Sequence, residues 1–277
     1  MKIQNLHYSI PTSFADKNYA NRHFRHGTTP FSTSDPHTAN FKPILSGINL
    51  EIKPGELTVL IGASGCGKTS LLNIVANRLY TRTYQGNVTL FNQRIGAWIK
   101  RHVGYVTQDD ILYALDTPRE AIEFVAKLGM SNYNSTQVDK IIEQLGLESV
   151  QNNICGSVGA NFDSFGKKSG ISGGERKRVS IGRELARESK VLLLDECTSG
   201  LDVFNANTIV GQLRDLCRSP FDFCSDSSSK CEKLAVLASL HQPSSAMWGM
   251  IDNIVLMSHG QIVYQAATGD FWADMQA

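Results

Sequence analysis

Gly62, Ala63, Ser64, Gly65, Cys66, Gly67, Lys68, Thr69 and Ser70 follow, after Ile61, on the apolar run Leu57–Leu60. The spacing is G-x-x-x-x-G-K-[ST], with Gly62, Gly67, Lys68 and Thr69 at the fixed positions. A strand feeding a glycine loop feeding a helix makes an anion socket. The glycines let the loop turn its backbone N–H groups inward around a phosphate, and a helix starting near Lys68 adds the positive end of its dipole. Lys68 is placed to reach the β- and γ-phosphates of a nucleoside triphosphate as a point charge. The Thr69 hydroxyl is placed to ligate Mg2+, with Ser70 a second hydroxyl beside it. The downstream Leu71–Leu79 is amphipathic at helical spacing, the context that separates such a loop from a glycine turn that binds nothing.

A second buried run, Val191–Leu194, ends on two acids. At the C-terminal edge of a doubly wound sheet, Asp195 can hold Mg2+ directly or through water, and Glu196 can orient and deprotonate the attacking water. His241 follows the apolar run Leu234–Leu240 and should emerge at the same edge, within reach of a γ-phosphate. Taken alone, a histidine there is more often structural. Gln108, after another strand-like run, is placed to contact Mg2+ or the attacking water. Ser172, Gly173 and Gly174 precede an amphipathic, positively charged helix and form a second helix N-terminus suited to an anion. A single nucleotide hardly needs both ends from one subunit. An isologous two-fold pairing lets each subunit's second anion site close over its partner's triphosphate.

The elements that must position these residues are legible from periodicity. Met1–Ile10 alternates like an edge strand, and Ile44–Ile52, ahead of the turn Lys53–Glu56, reads as another. Between them, residues 11–42 are rich in Ser, Thr, Asn, His and Pro and read as a long surface loop; 219–233, serine-rich, reads as a second. Helices are expected over 118–129 and 135–147, a glycine-rich loop before Ser172, and a hairpin around His259-Gly260.

Composition narrows the classes. The chain has 277 residues, 42% of them hydrophobic, enough for a buried core, and a formal net charge of +1, which leaves no electrostatic footprint for nucleic acid. The six cysteines form no C-x-x-C pair and no zinc spacing, a reduced, cytosolic inventory. Cys66 reads either as a reactive thiol at a helix N-terminus or as a small filler, the second being favoured. No run is long and apolar enough for a membrane span, and Met1–Ile10 lacks the apolar core of a signal peptide.

The glycine loop, "TQDD", "ISGGERKR", "LLLDE", "SGLD" and "LHQ", in that order, resemble the nucleotide-binding domain of an ATP-binding cassette (ABC) transporter across about Ile44 to Gln265. "SGGERKRVSIGRELA", "DECTSGLD", "SLHQPSS" and "GQIVYQ" are most similar to the eukaryotic G subfamily, the White/breast-cancer-resistance type, whose half-transporters place this domain before the membrane domain. The resemblance implies an α/β fold: a P-loop NTPase core of mostly parallel sheet flanked by helices, an antiparallel β subdomain, and a helical signature subdomain. Over a single domain 1–277, it implies a mainly antiparallel part at 1–60 and 84–104, a core at 61–83 and 188–265, and helices within 109–187.

It also implies that Gln108 lies in the Q-loop, Ser172–Glu175 in the signature motif, Asp202 in the D-loop, and that His241 is the switch histidine. ATP and Mg2+ would be clasped between two such domains, homo- or heterodimeric, head to tail. Hydrolysis would then drive a transmembrane domain at the cytosolic face of a membrane, with lipid, sterol or hydrophobic cargo. Two alternatives stand beside it: a soluble ABC ATPase acting on ribosomes or DNA, and a regulatory module that closes on ATP without turnover. Cys197 departs from the family by standing where proline is usual, and Phe41 is the candidate for an aromatic stacking on adenine. The sequence ends at "GDFWADMQA" without a membrane domain; an excised domain, a truncated product and a separate subunit all accommodate that ending.

Overall fold

Two long strands, β1 (Lys2–Pro11) and β2 (Phe41–Glu51), precede the short apolar β3 (Leu57–Ile61). After α1 (Lys68–Val75) come β4 (Tyr84–Leu90), β5 (Gln93–Arg94), a 3-10 helix (Ala97–Arg101) and β6 (Val103–Val106). The helices α2 (Pro118–Gly129), α3 (Ser135–Gln144) and α4 (Gly173–Leu185) follow, and then β7 (Val191–Leu194), α5 (Val203–Arg218), β8 (Ala235–Leu240) and the single turn α6 (Ser245–Trp248). The hairpin β9 (Asn253–Ser258) and β10 (Gln261–Ala267) leads into α7 (Thr268–Gln276). The computed structural model describes residues 1–11, 41–79, 84–130, 133–156, 170–219 and 233–276.

One sheet has the order β10-β9-β3-β8-β7-β6, parallel throughout except for β10, which runs antiparallel to β9. Strands β3, β6, β7 and β8 read as apolar runs because both their faces are covered, and successive side chains enter different cores. Leu192, Leu194, Val236, Ala238 and Ile254 pack with Ile122, Ile141, Val179 and Ile209 from α2, α3, α4 and α5. Val191, Leu193, Ala235, Leu237 and Val255 pack on the other side with Leu71 and Leu72 of α1 and with Ile3, Leu6, Leu45 and Ile48. That second core joins the parallel sheet to the antiparallel sheet β2-β1-β4-β5.

The α/β architecture with an antiparallel part and a helical part is as expected, and the details differ in three places. β1 is not an edge strand, since it pairs with β2 on one side and β4 on the other. Alternation told that one face is buried; it carries no record of how many neighbours a strand has. Residues 57–60 and 103–104, counted with the antiparallel part, belong to the parallel sheet, where β3 pairs with β8 and β9, and β6 with β7. Their full burial on both faces is the signature of a strand sandwiched between layers. At the expected surface loops, Pro11, Phe41 and Lys42 lie in strands and Ser219 closes α5, while 12–40 and 220–232 fall outside the described residues.

The His259-Gly260 turn does more than close a hairpin. Both residues have positive φ, 47° and 76°, as a two-residue turn matching the strand twist requires. Gly260 accepts from Ser46 N at 2.9 Å and donates to Cys66 O at 3.1 Å, so it fastens β2 and the glycine loop to the same point. A Cβ there would run into the Ile44 carbonyl. Gly260→Ala should therefore destabilise the domain by about 2–4 kcal/mol, the left-handed penalty plus overpacking against rigid backbone, read by urea unfolding. A change within about 0.5 kcal/mol, the scale of an inconsequential surface substitution, would contradict this role.

Candidate functional site

The glycine loop is built as its spacing implies. Gly67, at φ 105°, is the N-cap of α1, and a Cβ on it would lie 2.7 Å from Leu45 Cδ2 and 3.3 Å from the Ile44 carbonyl. Gly62 has no room for a side chain either, since its Cβ would meet the Met257 carbonyl and, at 2.7 Å, Cys66 Sγ. Cys66 is buried there, which fits the filler reading. Lys68 is 4% exposed and lies back over the loop, its Nζ donating to Gly62 O at 2.7 Å and Ala63 O at 3.1 Å. Ser64, Gly65 and Thr69 lie at the surface, and Ser70 is half-buried.

Strand register brings the other candidates to this edge. Ile61 is opposite Leu240, Leu194 opposite Ala238, and Val106 opposite Leu194. One step beyond the strands, Gly62 is therefore level with His241, and Asp195 with Ser239 and Thr107. Gln108 and Glu196 come one residue later still. The side chains of His241 and Gln108 are exposed.

Asp195 is the centre of a hydroxyl cluster. Thr69 Oγ1 donates to its Oδ1 at 3.1 Å and Ser239 Oγ donates to the same oxygen at 2.9 Å, while Tyr105 OH donates to Oδ2 at 3.4 Å. Burial and the adjoining Asp195 carboxylate hold the Tyr105 phenol protonated far above its ordinary range, so it remains a donor. Ser239 Oγ also accepts from Glu196 N at 2.7 Å, which helps hold Glu196 at φ 46°. A non-glycine residue in the left-handed region costs of order 1–3 kcal/mol and recurs where a side chain has to be aimed. Cys197, next in line, is fully buried, and burial pushes its thiol up to about 12.

The signature segment is a capped helix end. Ser172 Oγ accepts from Glu175 N at 3.3 Å, and Ser172 N donates to Glu175 Oε2 at 2.6 Å, a reciprocal capping box. Gly174 lets α4 lie against the start of α5, since a Cβ would stand 2.8 Å from Asn205 Oδ1; a Cβ on Gly173 would be 3.5 Å from Leu201. Asp202 caps α5, accepting from Asn205 N at 3.0 Å, and that backbone bond, with a further one from the Asn205 side chain, lowers its carboxyl pKa. Among the described residues no hydrogen bond or ion pair joins 172–175 to 62–70 of the same chain, so the glycine loop and the signature remain separate within one subunit.

Three residues of this site carried little sequence signal. Ser239 is a polar residue inside an apolar strand, a clue that a buried partner exists, but not which. Tyr105 reads as one more strand aromatic. Lys177, expected on a charged helix face, is instead buried with its neighbours Arg176 and Arg178. As for a cation, Thr69 Oγ1 and the Asp195 carboxylate form a hard-oxygen pair beside the loop, the donor chemistry that Mg2+ takes from a protein when phosphates and water supply the rest. Among the described residues there is no cluster of three or more His, Cys, Asp or Glu side chains able to enclose a metal by themselves.

A glycine loop after β3 and an acid pair after β7, with β8 between the two strands in one parallel sheet, define a P-loop nucleotide-binding protein. The family model of the ABC transporter matches residues 45–199. Curated relatives include ABC transporter G family member 14 of Arabidopsis thaliana, 38% identical over 82% of this chain and 32% of that protein, and G family member 24 of Dictyostelium discoideum, 36% identical over 83% and 19%. Member 21 of Arabidopsis thaliana is 33% identical over 97% of this chain and 36% of its own length. The chain thus spans 19% to 36% of the length of these relatives. The structure of CbiO1 from Clostridium perfringens, described as part of the ABC transporter complex CbiONQ, superposes with a TM-score of 0.69 over 99% of this chain and 91% of that one, at 21% identity. This chain belongs to the ABC transporter family, as an ATPase domain of the G-family type.

Proposed function

We propose that this domain binds ATP with Mg2+, pairs head to tail with a second nucleotide-binding domain, and hydrolyses ATP to drive transport by a membrane domain. The observation that carries the reading is the 3.1 Å bond from Thr69 Oγ1 to Asp195, which brings the phosphate-loop hydroxyl and the acid of a distant strand to one point. In this reading the N–H groups of Gly62–Ser70 and the Lys68 ammonium hold the phosphates, and Thr69, Asp195 and Gln108 hold the cation. Mg2+ at that place would neutralise charge building on the transferred phosphoryl oxygens. Glu196 takes a proton from the attacking water and His241 stands at the γ-phosphate. Phe41 lies three residues before Ile44, whose carbonyl abuts the loop at Gly67, which supports its candidacy for the adenine face.

In the pair, the partner's Ser172 hydroxyl and the N–H groups at the start of its α4 close on the γ-phosphate, Glu175 holds that cap in shape, and Asp202 stands at the seam. Apolar side chains left in water support a membrane-domain partner at the cytosolic side. After Gln108, Ile111, Tyr113 and Leu115 are all exposed, and along α2 so are Phe124 and Leu128, beside a groove of about 450 Å³ reaching Arg183. No described helix is long and apolar enough to cross a membrane itself. Lipids, sterols or other hydrophobic compounds are the proposed cargo.

Ser172→Asp tests the pairing. Aspartate keeps a capping oxygen for α4, so the fold should be unchanged, but it sets a negative charge against the partner's phosphate. Like charges brought together in a desolvated interface cost several kcal/mol, so ATP-dependent dimers should weaken by about a hundredfold or more while the monomer's ATP affinity holds. Sedimentation of the nucleotide-loaded chain reads this, and an unweakened dimer would refute the pairing. Co-purification with a polytopic membrane protein, as against ribosomes, tests the partner.

A further inference from the structure

One buried cation of α4 is not used by the reading above. Lys177 is 2% exposed, and an ammonium taken out of water needs compensating oxygens. It has three. Its Nζ donates to the carbonyls of Gln108 at 2.7 Å and Thr107 at 3.1 Å, and stands 3.0 Å from Asp110 Oδ1. The Asp110 contact is one of charge, since that oxygen accepts no aligned hydrogen bond. Farther along α4, Arg183 Nη1 donates to Ile111 O at 2.7 Å, so residues 107–111 hang from this helix by two cations. The grip is on the Gln108 backbone, and its side chain stays exposed. The same helix begins at the Ser172 cap.

We propose that Lys177 is a positioning residue whose ammonium couples the Ser172 end of α4 to the Gln108 segment, so that nucleotide engaging either one moves the other. The inference rests on the nucleotide reading of Gln108 and Ser172. A neutral side chain at 177 would leave two inward carbonyls and the Asp110 carboxylate without their cation, and residues 107–110 would be tied to α4 only through the Arg183 bond at Ile111, away from Gln108.

The test compares the wild-type chain with Lys177→Gln, Lys177→Arg and Asp110→Asn by ATP turnover and by amide hydrogen exchange with and without Mg-ATP. Lys177→Gln should lose at least about tenfold in kcat while KM for ATP moves less than about twofold, because the loop 62–70 is untouched and only positioning is lost. Lys177→Arg, which keeps the charge, should recover to within about threefold of wild type, and Asp110→Asn, which keeps both carbonyl bonds, should lose less than Lys177→Gln. In exchange, Mg-ATP should protect 172–178 and 104–111 together in the wild type and only one of the two in Lys177→Gln.

A wild-type chain with no ATP-dependent protection fails the nucleotide reading itself. Joint protection persisting in a folded Lys177→Gln, or turnover and ATP affinity falling in parallel with melting temperature in every variant, overturns the coupling alone. If Lys177→Gln does not fold, Asp110→Asn carries the same expectations in smaller measure.

Discussion

Glu196→Gln is expected to lower ATP turnover by about two to four orders of magnitude, the span of a lost general base, while ATP stays bound and dimers accumulate. Glutamine has nearly the same shape, so the φ of 46° and the bond from the backbone N–H to Ser239 need not change. What disappears is the carboxylate that accepts a proton from water, and with it a negative charge that repels the triphosphate. Binding therefore holds or tightens as hydrolysis stops, and a closed pair that opens only after the γ-phosphate leaves should persist. The measurements are single-turnover hydrolysis and sedimentation of the variant with Mg-ATP. Equal turnover in the two proteins would remove Glu196 from its role.

Lys68→Ala should fail one step earlier, losing about a hundredfold or more in ATP affinity, within the 2–5 kcal/mol that truncating one member of a buried, hydrogen-bonded charge pair costs. The ammonium is 4% exposed and is already drawn over the loop by Gly62 O and Ala63 O, so its charge is held where phosphate oxygens would come. Little water is at hand to replace it. Lys68→Arg should rescue poorly, since a planar fork does not fit a cradle formed around a compact ammonium. Equilibrium binding of a fluorescent ATP analogue separates the two variants: Glu196→Gln binds and does not turn over, Lys68→Ala does neither. An Ala variant binding within about twofold of wild type would show that the loop's N–H groups suffice without the lysine.

Cys197 bears on these rates. Proline, usual at this position in the family, would restrain φ directly after Glu196. Here a fully buried thiol fills the place, and burial pushes it to about 12, so it is an inert packing group at neutral pH. The turn is held from the side instead, by Ser239 on the Glu196 N–H and by the closed packing around Cys197.

What the sequence alone determined is local. The glycine loop, the acids after Val191–Leu194, the helix end at Ser172 and the hairpin turn all follow from short-range geometry: positive φ, helix-end hydrogen bonds and periodicity in neighbouring residues. These suffice to mark what each segment can do. Tertiary structure alone decided which segments meet. Thr69 reaches Asp195 across 126 positions, Ser239 ties Asp195 to the Glu196 backbone, and Lys177 is drawn from a charged helix face into the interior under residues 107–110. β1 likewise became interior only once β4 paired with its second side. A side chain's neighbours across a sheet depend on strand order and register, and those are fixed by burying both faces at once, a condition on the whole chain that no short stretch records.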